Sequence, residues 1–205
     1  MTKADGTKFG KTELGTIWLD ANRTSPYAFY QFWLGTADAD VYRFLRYFTF
    51  LPVDEIAEIE TADAERAGRP EAQQILAREV TRLVHGDAGL NAAERLTAAL
   101  FSGDPSALGE ADLAQLALDG LPAEKISRGD VPPTFTQLLA QVGVATGKQI
   151  KDALAREAIL VNGQPVTGGA TVTCEEALAP RRALHGRFFL VRFGKKKYHL
   201  LFEDA

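Results

Sequence analysis

The stretch SPYAFYQFWLGTADADVYRFLRYFTFLP, residues 25–52, decides the fold of this 205-residue chain. Ser25-Pro26 combines a capping hydroxyl with a proline at the first helical position, which favours a helix start. The segment that follows is almost wholly apolar and aromatic, so it predicts a buried helix. Apolar residues then recur at helical spacing behind two aspartates, which predicts a second helix with one apolar face. These residues are Val41, Phe44, Leu45 and Phe48.

Helical patterns continue outward from this stretch to about residue 120. Pro52 opens a third helix. A fourth helix runs to His85, where Gly86 stands in the C-cap position, and Asn91 caps a fifth. The sequence therefore predicts a mainly α-helical domain over residues 16–120.

The pattern changes towards the C-terminus. Asn162-Gly163 is a strong hairpin signal. Arg187–Phe193 and Lys197–Phe202 alternate as two strands around a turn, and Thr171–Cys174 favours a brief strand. Together with two short helices, these strands predict a small α+β domain over residues 134–205.

Two segments lack the periodicity of either domain. Residues 1–15 are rich in Gly, Lys and Thr and predict a loop. Residues 119–133, DGLPAEKISRGDVPP, are rich in Gly, Pro and charge, and they predict a linker over residues 121–133. The expected order is loop, helical domain, linker and α+β domain.

Composition excludes several classes of protein. A hydrophobic content of 46% and a charged content of 24% are ordinary for a globular chain. No apolar run approaches the roughly 20 residues that cross a membrane, and the polar N-terminus is no secretory signal. A single cysteine, Cys174, forms no internal disulfide and no Cys-rich zinc site. We therefore expect no metal site, no membrane contact and a cytoplasmic location.

Charge is divided unevenly along the chain. Residues 126–205 hold eleven Lys/Arg against seven Asp/Glu, whereas residues 1–125 hold twelve against twenty. Such a split is a hint of a segment that faces a polyanion. Ordinary surface variation produces the same split, so charge by itself leaves both interpretations open.

The string Lys8-Phe9-Gly10-Lys11-Thr12 is the first motif that carries chemistry. It is no Walker A loop, because the spaced upstream glycine is missing. It resembles the KMSKS loop of class I aminoacyl-tRNA synthetases, in the form typical of tyrosyl enzymes. The resemblance implies that Lys8 and Lys11 stabilise the ATP pyrophosphate during amino-acid activation, with Lys11 and Thr12 in contact with ATP. ATP is then a substrate of the parent enzyme, and we expect no cofactor bound to this chain.

The opening stretch is the more specific signature. Residues 25–52, followed in order by EVTRLVHG (79–86) and LFSG (100–103), resemble the start of the helical anticodon-binding domain of bacterial tyrosyl-tRNA synthetases. His85 lies within this match. A histidine near a helix C-terminus more often favours the negative end of the dipole than binds a ligand, and no partner Cys or His stands near it in sequence.

Residues 147–166, GKQIKDALAREAILVNGQPV, resemble the α-L type RNA-binding module shared by a ribosomal protein, several pseudouridine synthases and bacterial tyrosyl-tRNA synthetases. Lys148 and Lys151 lie about one helical turn apart and can reach successive phosphates. Arg156 either adds a contact, caps the helix or pairs with an acid. Asp152-Ala153-Leu154 replaces the arginines usual in the family, which thins the basic face. The closing hairpin adds candidate phosphate contacts at Arg187, Lys195, Lys196 and Lys197.

The resemblance extends over all 205 residues and implies what the parent protein does. A nucleotide-binding fold of roughly 220 residues, with a HIGH motif, a tyrosine pocket and a homodimer interface, is expected before this point. The parent would activate tyrosine and transfer it to tRNA-Tyr, while this chain alone would be inactive, monomeric and tRNA-binding. A stand-alone RNA-binding adaptor of the same ancestry is the alternative, and the ATP-type loop separates the two.

Overall fold

The computed structural model of the chain describes residues 4, 6, 11–12, 15–68, 70–102, 104–195 and 197–203. The chain divides into two compact units, residues 1–94 and residues 95–205. Helices predominate, with a short strand pair in the first unit and a small mixed sheet in the second. The predicted mainly helical chain with a small α+β part is confirmed at this level. Within the described part, no helix is long and apolar enough to cross a membrane.

The described residues of the first unit form a strand pair and four helical segments. Strand β1 pairs antiparallel with β2, and α1 begins as predicted, because Ser25 Oγ accepts the Ala28 N–H at 3.0 Å and Pro26 occupies the first turn. The elements are β1 (Lys11–Thr12), β2 (Gly15–Thr16), α1 (Pro26–Leu34), α2 (Asp38–Phe48), α3 (Val53–Glu65) and the first part of α4 (Ala72–Ser102).

The core of the first unit is built around Trp33. The ring of Trp33 meets the rings of Phe29, Phe44 and Phe48 edge to face, with centroids 6.1, 6.3 and 4.9 Å away. Such aromatic pairs add about 0.5–1.5 kcal/mol each beyond the area they bury. Every residue of α1 is buried or half-buried, so the helix is enclosed as its composition predicts.

A kink at Gly86 interrupts α4. Gly86 has φ 68° and ψ −179°, a conformation open to glycine and strained for other residues. The prediction that the fourth helix stops at Gly86 holds, but the next helical turns begin at once rather than at Asn91. The chain approaches itself closely at Gly89, where an added Cβ would lie 2.6 Å from the Cβ of His85, so only glycine fits there without a shift.

The second unit combines helices with a five-stranded sheet in the order β3-β7-β6-β4-β5. Strand β3 runs parallel to β7, and the other pairs are antiparallel. Besides the end of α4, the elements are α5 (Glu110–Leu118), β3 (Ala123–Lys125), α6 (Phe135–Gln141), α7 (Gly147–Ala155), β4 (Ile159–Val161), β5 (Gln164–Pro165), α8 (Cys174–Ala177), β6 (Phe188–Phe193) and β7 (Lys197–Phe202). Strand β3 lies within the segment 121–133, for which the sequence indicated no strand.

Three helices of the second unit begin with the same short motif. In each, a threonine hydroxyl accepts the N–H of the third following residue, whose side chain accepts the N–H of the threonine in return. The pairs are Thr134 with Gln137, Thr146 with Gln149, and Thr173 with Glu176. The third pair starts α8 at Cys174, where the sequence favoured a strand over Thr171–Cys174, so that prediction is wrong.

Both faces of the sheet are covered. On one face, Phe189, Val191 and Leu201 join a core with side chains of α6 and α7. On the other, the Tyr198 hydroxyl donates to the Leu100 carbonyl, and His185 Nε2 lies 2.8 Å from the Leu108 carbonyl oxygen. The sheet is therefore a middle layer, and its central strands are buried on both sides.

Candidate nucleic-acid interface

Helix α7 presents two of the predicted phosphate-binding lysines. It buries Ile150, Ala153 and Leu154 in the core and leaves Lys148 and Lys151 exposed, one turn apart. Its first turn has no acidic residue. A cation there has the same sign as the positive end of the helix dipole, so Lys148 does not stabilise α7.

The turn between β6 and β7 lies against both ends of α7. Gly194, with φ 64°, donates its N–H to the Ala158 carbonyl at 2.9 Å, just after α7 ends. Lys197 Nζ donates to the Val144 carbonyl at 2.7 Å, just before α7 begins. Lys195 is exposed between these two attachments. Lys196 lies outside the described residues.

Besides Lys197, two predicted contact residues have partners within the chain. Arg156 follows the last residue of α7, and its Nε donates to the Asp152 carbonyl at 3.1 Å. Of the three roles left open for Arg156, helix capping is therefore present. The Arg187 guanidinium pairs with Glu110, with Nε 2.7 Å from Oε1, and lies 4.7 Å from the Phe188 ring centroid. Their assignment to RNA binding remains a prediction.

Arg181 is an exposed cation that the sequence analysis did not select as a site residue. It lies in a single 3₁₀ turn, Pro180–Arg182, outside the predicted elements. Two consecutive arginines were the available signal. The two arginines differ in their surroundings. Arg182 lies 3.4 Å from the Pro165 carbonyl oxygen, whereas Arg181 faces solvent.

Asn162 fixes the hairpin that the Asn-Gly dipeptide predicts. Strands β4 and β5 pair around this turn, and Asn162 has φ 49°. Its amide donates to the Arg182 and Phe188 carbonyls at 2.7 and 2.9 Å, and its Oδ1 accepts the Leu190 N–H at 2.7 Å. One side chain thus joins the hairpin, the segment before β6 and β6 itself.

The predicted ATP loop is described only in part. Lys8 lies outside the described residues. Lys11 and Thr12 form β1, where their backbones pair with Thr16 and Gly15. The segment is attached on both sides, since the Ala4 N–H donates to the Asp40 carboxylate at 3.0 Å and the Trp18 N–H donates to Thr24 Oγ1 at 2.9 Å. The ATP-binding roles of Lys8, Lys11 and Thr12 remain predictions.

His85 is a packing residue. Its ring meets Phe29 edge to face, with centroids 4.9 Å apart, directly before the Gly86 kink. Burial lowers the pKa of His85, so the imidazole is neutral at pH 7. Among the described residues, no group of three or more His, Cys, Asp or Glu side chains could hold a metal ion.

Comparison with known proteins assigns the two parts of the chain to one class. A family described as tRNA synthetases class I (W and Y) matches residues 1–102, and a tyrosine–tRNA ligase SYY-like C-terminal domain matches residues 112–201. These two matches, one to each part of the chain, place it among the class I aminoacyl-tRNA synthetases.

Within this class, the chain is similar in sequence to enzymes of one amino-acid specificity, tyrosine. The chain is 56% identical over 201 residues to the tyrosine–tRNA ligase of Aliivibrio fischeri (strain MJ11) and 54% identical over 202 residues to that of Chromobacterium violaceum. Each alignment covers 98% of this chain and 46% of the relative. The chain belongs to the tyrosine–tRNA ligase family, and it spans about half the length of the curated relatives that it matches.

A solved structure also resembles part of the chain. A C-terminally truncated Aspergillus nidulans mitochondrial tyrosyl-tRNA synthetase is 39% identical, with a TM-score of 0.40. The match covers 44% of this chain and 25% of that chain.

Proposed function

We propose that these 205 residues are the tRNA-binding part of a tyrosine–tRNA ligase. The helical domain recognises the anticodon stem of tRNA-Tyr, and the α-L type domain binds its long variable arm. The observation that carries this proposal is the exposed set of ammonium groups on α7 and the adjoining turn, Lys148, Lys151 and Lys195, in a chain with an acidic total charge.

The chemistry of these groups favours binding to the RNA backbone. Lysine ammonium groups are point charges that neutralise phosphates and carry little base specificity. An irregular RNA arm is recognised mainly by its shape and by phosphate and 2′-hydroxyl contacts. The variable arm would therefore be selected by the spacing of its phosphates.

The catalytic part of the proposal concerns the longer protein. There, Lys8 and Lys11 would meet the pyrophosphate of ATP during tyrosine activation, with Thr12 beside them, and two copies would assemble through the nucleotide-binding fold. The 205-residue polypeptide itself would be a cytoplasmic monomer with no tyrosine-dependent pyrophosphate exchange. Measurable exchange, or a dimer at micromolar concentration in light scattering, would contradict this part.

Salt-dependent tRNA binding tests the interface. In the variants Lys148→Ala and Lys151→Ala, affinity for a tRNA-Tyr transcript should fall, and the slope of log K against log salt should drop by roughly one unit each. Lys125→Ala, a lysine on β3 remote in sequence from α7, is the charge-matched control and should leave the slope unchanged. An unchanged slope in both α7 variants would remove them from the interface.

A tRNA-Tyr transcript without its variable arm separates the ligase proposal from an RNA-binding adaptor. The ligase proposal expects weaker binding of the shortened transcript to the wild-type chain. Equal binding of both transcripts and of unrelated structured RNA would favour the adaptor. The class I synthetase match over residues 1–102, which includes the ATP-type loop, supports the ligase.

A further inference from the structure

Lys197 is an exposed residue at the start of β7, and its ammonium group has a fixed partner within the chain. Its Nζ lies 2.7 Å from the carbonyl oxygen of Val144, a residue that is 3% exposed. Val144 stands in the connection between α6 and α7, two residues before Thr146, the residue that caps α7. The side chain of Lys197 therefore connects β7 to the start of the basic helix.

A second attachment holds the same turn at the other end of α7. The Gly194 N–H donates to the Ala158 carbonyl at 2.9 Å, and Phe193 pairs with Ile159 across the sheet. A helix of nine residues is about 13 Å long. The turn that carries Lys195 is thus fastened at two points, one near each end of α7.

From these contacts we propose that Lys197 is a positioning residue of the RNA interface. It holds the start of α7 against the β6–β7 turn and so sets the spacing between Lys148 on the helix and Lys195 in the turn. This inference rests on the proposed RNA-binding function and deepens it. Under this proposal, Lys148 and Lys195 contact phosphates, whereas Lys197 holds these two lysines in position.

Two features favour positioning over direct phosphate contact. The hydrogen bond to Val144 is formed in the absence of RNA. It ends on a buried backbone carbonyl, which would lose its lysine donor if the side chain swung out to a phosphate. The position of Lys197 is therefore set by the geometry of the carbonyl.

Salt-dependent binding distinguishes the two roles. In Lys197→Met, which removes the donor and charge but keeps the stem, affinity for the tRNA-Tyr transcript should fall about three- to tenfold, the effect of one hydrogen bond. The salt slope should stay near that of the wild type, because the same phosphates are still neutralised. Lys195→Met, the matched change in the same turn, should lower the slope by about one unit.

A double-mutant cycle tests whether Lys197 acts through Lys148. If it does, Lys197→Met should cost clearly less affinity in a Lys148→Met background than in the wild type. Independent phosphate contacts would instead multiply their fold-changes. A slope loss of about one unit in Lys197→Met, together with such independence, would overturn the positioning role.

Amide hydrogen exchange gives a readout that needs no RNA. The Ile150 N–H donates to the Thr146 carbonyl in the first turn of α7. Its exchange should be faster in Lys197→Met than in Lys195→Met, with both chains otherwise folded. If the wild-type chain fails to bind tRNA while this difference is present, the proposed function is wrong and the positioning contact stands. Equal exchange in both variants would refute the positioning contact whatever the RNA result.

Discussion

Asp63 is a residue of α3 that stabilises the start of α4. Its carboxylate accepts the Glu71 N–H at 2.7 Å and the Ala72 N–H at 3.1 Å, and it also accepts the Tyr42 hydroxyl at 3.1 Å. Burial by itself would raise the pKa of Asp63, but these hydrogen bonds outweigh it and hold the pKa below its usual range. Burial, followed by the hydrogen bond to Asp63, raises the pKa of Tyr42 to about 12.

Replacement of Asp63 should therefore cost stability in a pH-dependent way. Asp63→Ala removes the acceptor of the Glu71 N–H and of the buried Ala72 N–H. It should lower the free energy of unfolding by about 2 kcal/mol at pH 7. Because the folded pKa is depressed, the stabilisation is complete above the unfolded pKa of about 3.9 and is lost as pH falls through the folded value. Urea unfolding between pH 7 and 2.5 measures the difference, which should shrink towards acid pH.

The control for Asp63 is Asp54→Ala, which removes an exposed carboxylate from the first turn of the same helix. We expect it to cost only a few tenths of a kcal/mol, the size of a dipole interaction at an exposed site. If the two variants lose the same free energy of unfolding, the hydrogen bonds of Asp63 contribute no stability beyond that of its charge.

Asn162 allows a second test at the level of one side chain. Asn162→Ala and Asn162→Gly both remove its three hydrogen bonds, but glycine also relieves the positive φ. Both variants should lower the free energy of unfolding by about 2–3 kcal/mol, with glycine the milder. If Asn162→Gly unfolds at the same urea concentration as the wild type, only the backbone conformation matters at this position.

At the scale of elements, the kink in α4 depends on Gly89. Gly→Ala inside a helix ordinarily stabilises it by up to about 1 kcal/mol. Here the new Cβ would stand 2.6 Å from the Cβ of His85 and 3.4 Å from that of Pro26. Gly89→Ala should therefore destabilise the chain by about 2 kcal/mol or more, because something must shift to admit the methyl group.

Gly109→Ala is the matched change for Gly89→Ala. Its added Cβ would make an ordinary contact of 3.6 Å with the Asp112 carboxylate, and its φ of −76° suits any residue. Thermal unfolding should place Gly109→Ala within a few degrees of the wild type and Gly89→Ala well below it. The reverse order would show that the close approach at Gly89 is relieved without cost.

Elements with local signals could be predicted from the sequence, and elements with distant partners could not. Ser25-Pro26 and Asn162-Gly163 each specify their own conformation, and the structure has a helix and a hairpin there. Strand β3 is only three residues long and contains Glu124 and Lys125. Its partner β7 lies more than 70 residues away, so pairing rather than propensity makes it a strand.

The candidate interface shows the same limit. Lys195 and Lys197 belong to one run of three lysines and have the same local sequence character. Both lysines are exposed, and only the fold brings the Val144 carbonyl to Lys197. Likewise, the sequence does not reveal that Arg187 pairs with Glu110, 77 positions earlier, and its phosphate contact remains a prediction. Sequence patterns selected the basic region, while the division of roles inside it depends on tertiary contacts.

At the scale of the whole molecule, β3 determines where the C-terminal unit can be cut. The Leu200 N–H donates to the Pro122 carbonyl, and the Ile126 N–H donates to the Phe202 carbonyl, both at 2.8 Å. A polypeptide of residues 127–205 would lose β3 and leave β7 as an exposed edge. It would also lose the helical residues that cover the second face of the sheet. Such an edge promotes association between chains.

We therefore expect residues 95–205 to remain soluble and folded, whereas residues 127–205 should aggregate or unfold. Size-exclusion chromatography and the thermal transition of the two polypeptides measure this difference. A cooperative, monomeric 127–205 polypeptide would show that β3 is dispensable.

The parallel pairing of β3 with β7 also bears on how such a module changes hosts over evolution. A domain that contains all of its strands can be transferred by recombination at any flanking loop. Here the edge strand precedes Ile126, and residues that cover the second face of the sheet, such as Leu100, lie further upstream. A gene rearrangement that joined this module to a new partner at the Pro-rich segment would deliver an incomplete sheet. A successful transfer would have to include β3 and the upstream helical residues, or the new host would have to supply a strand and a covering layer in their place.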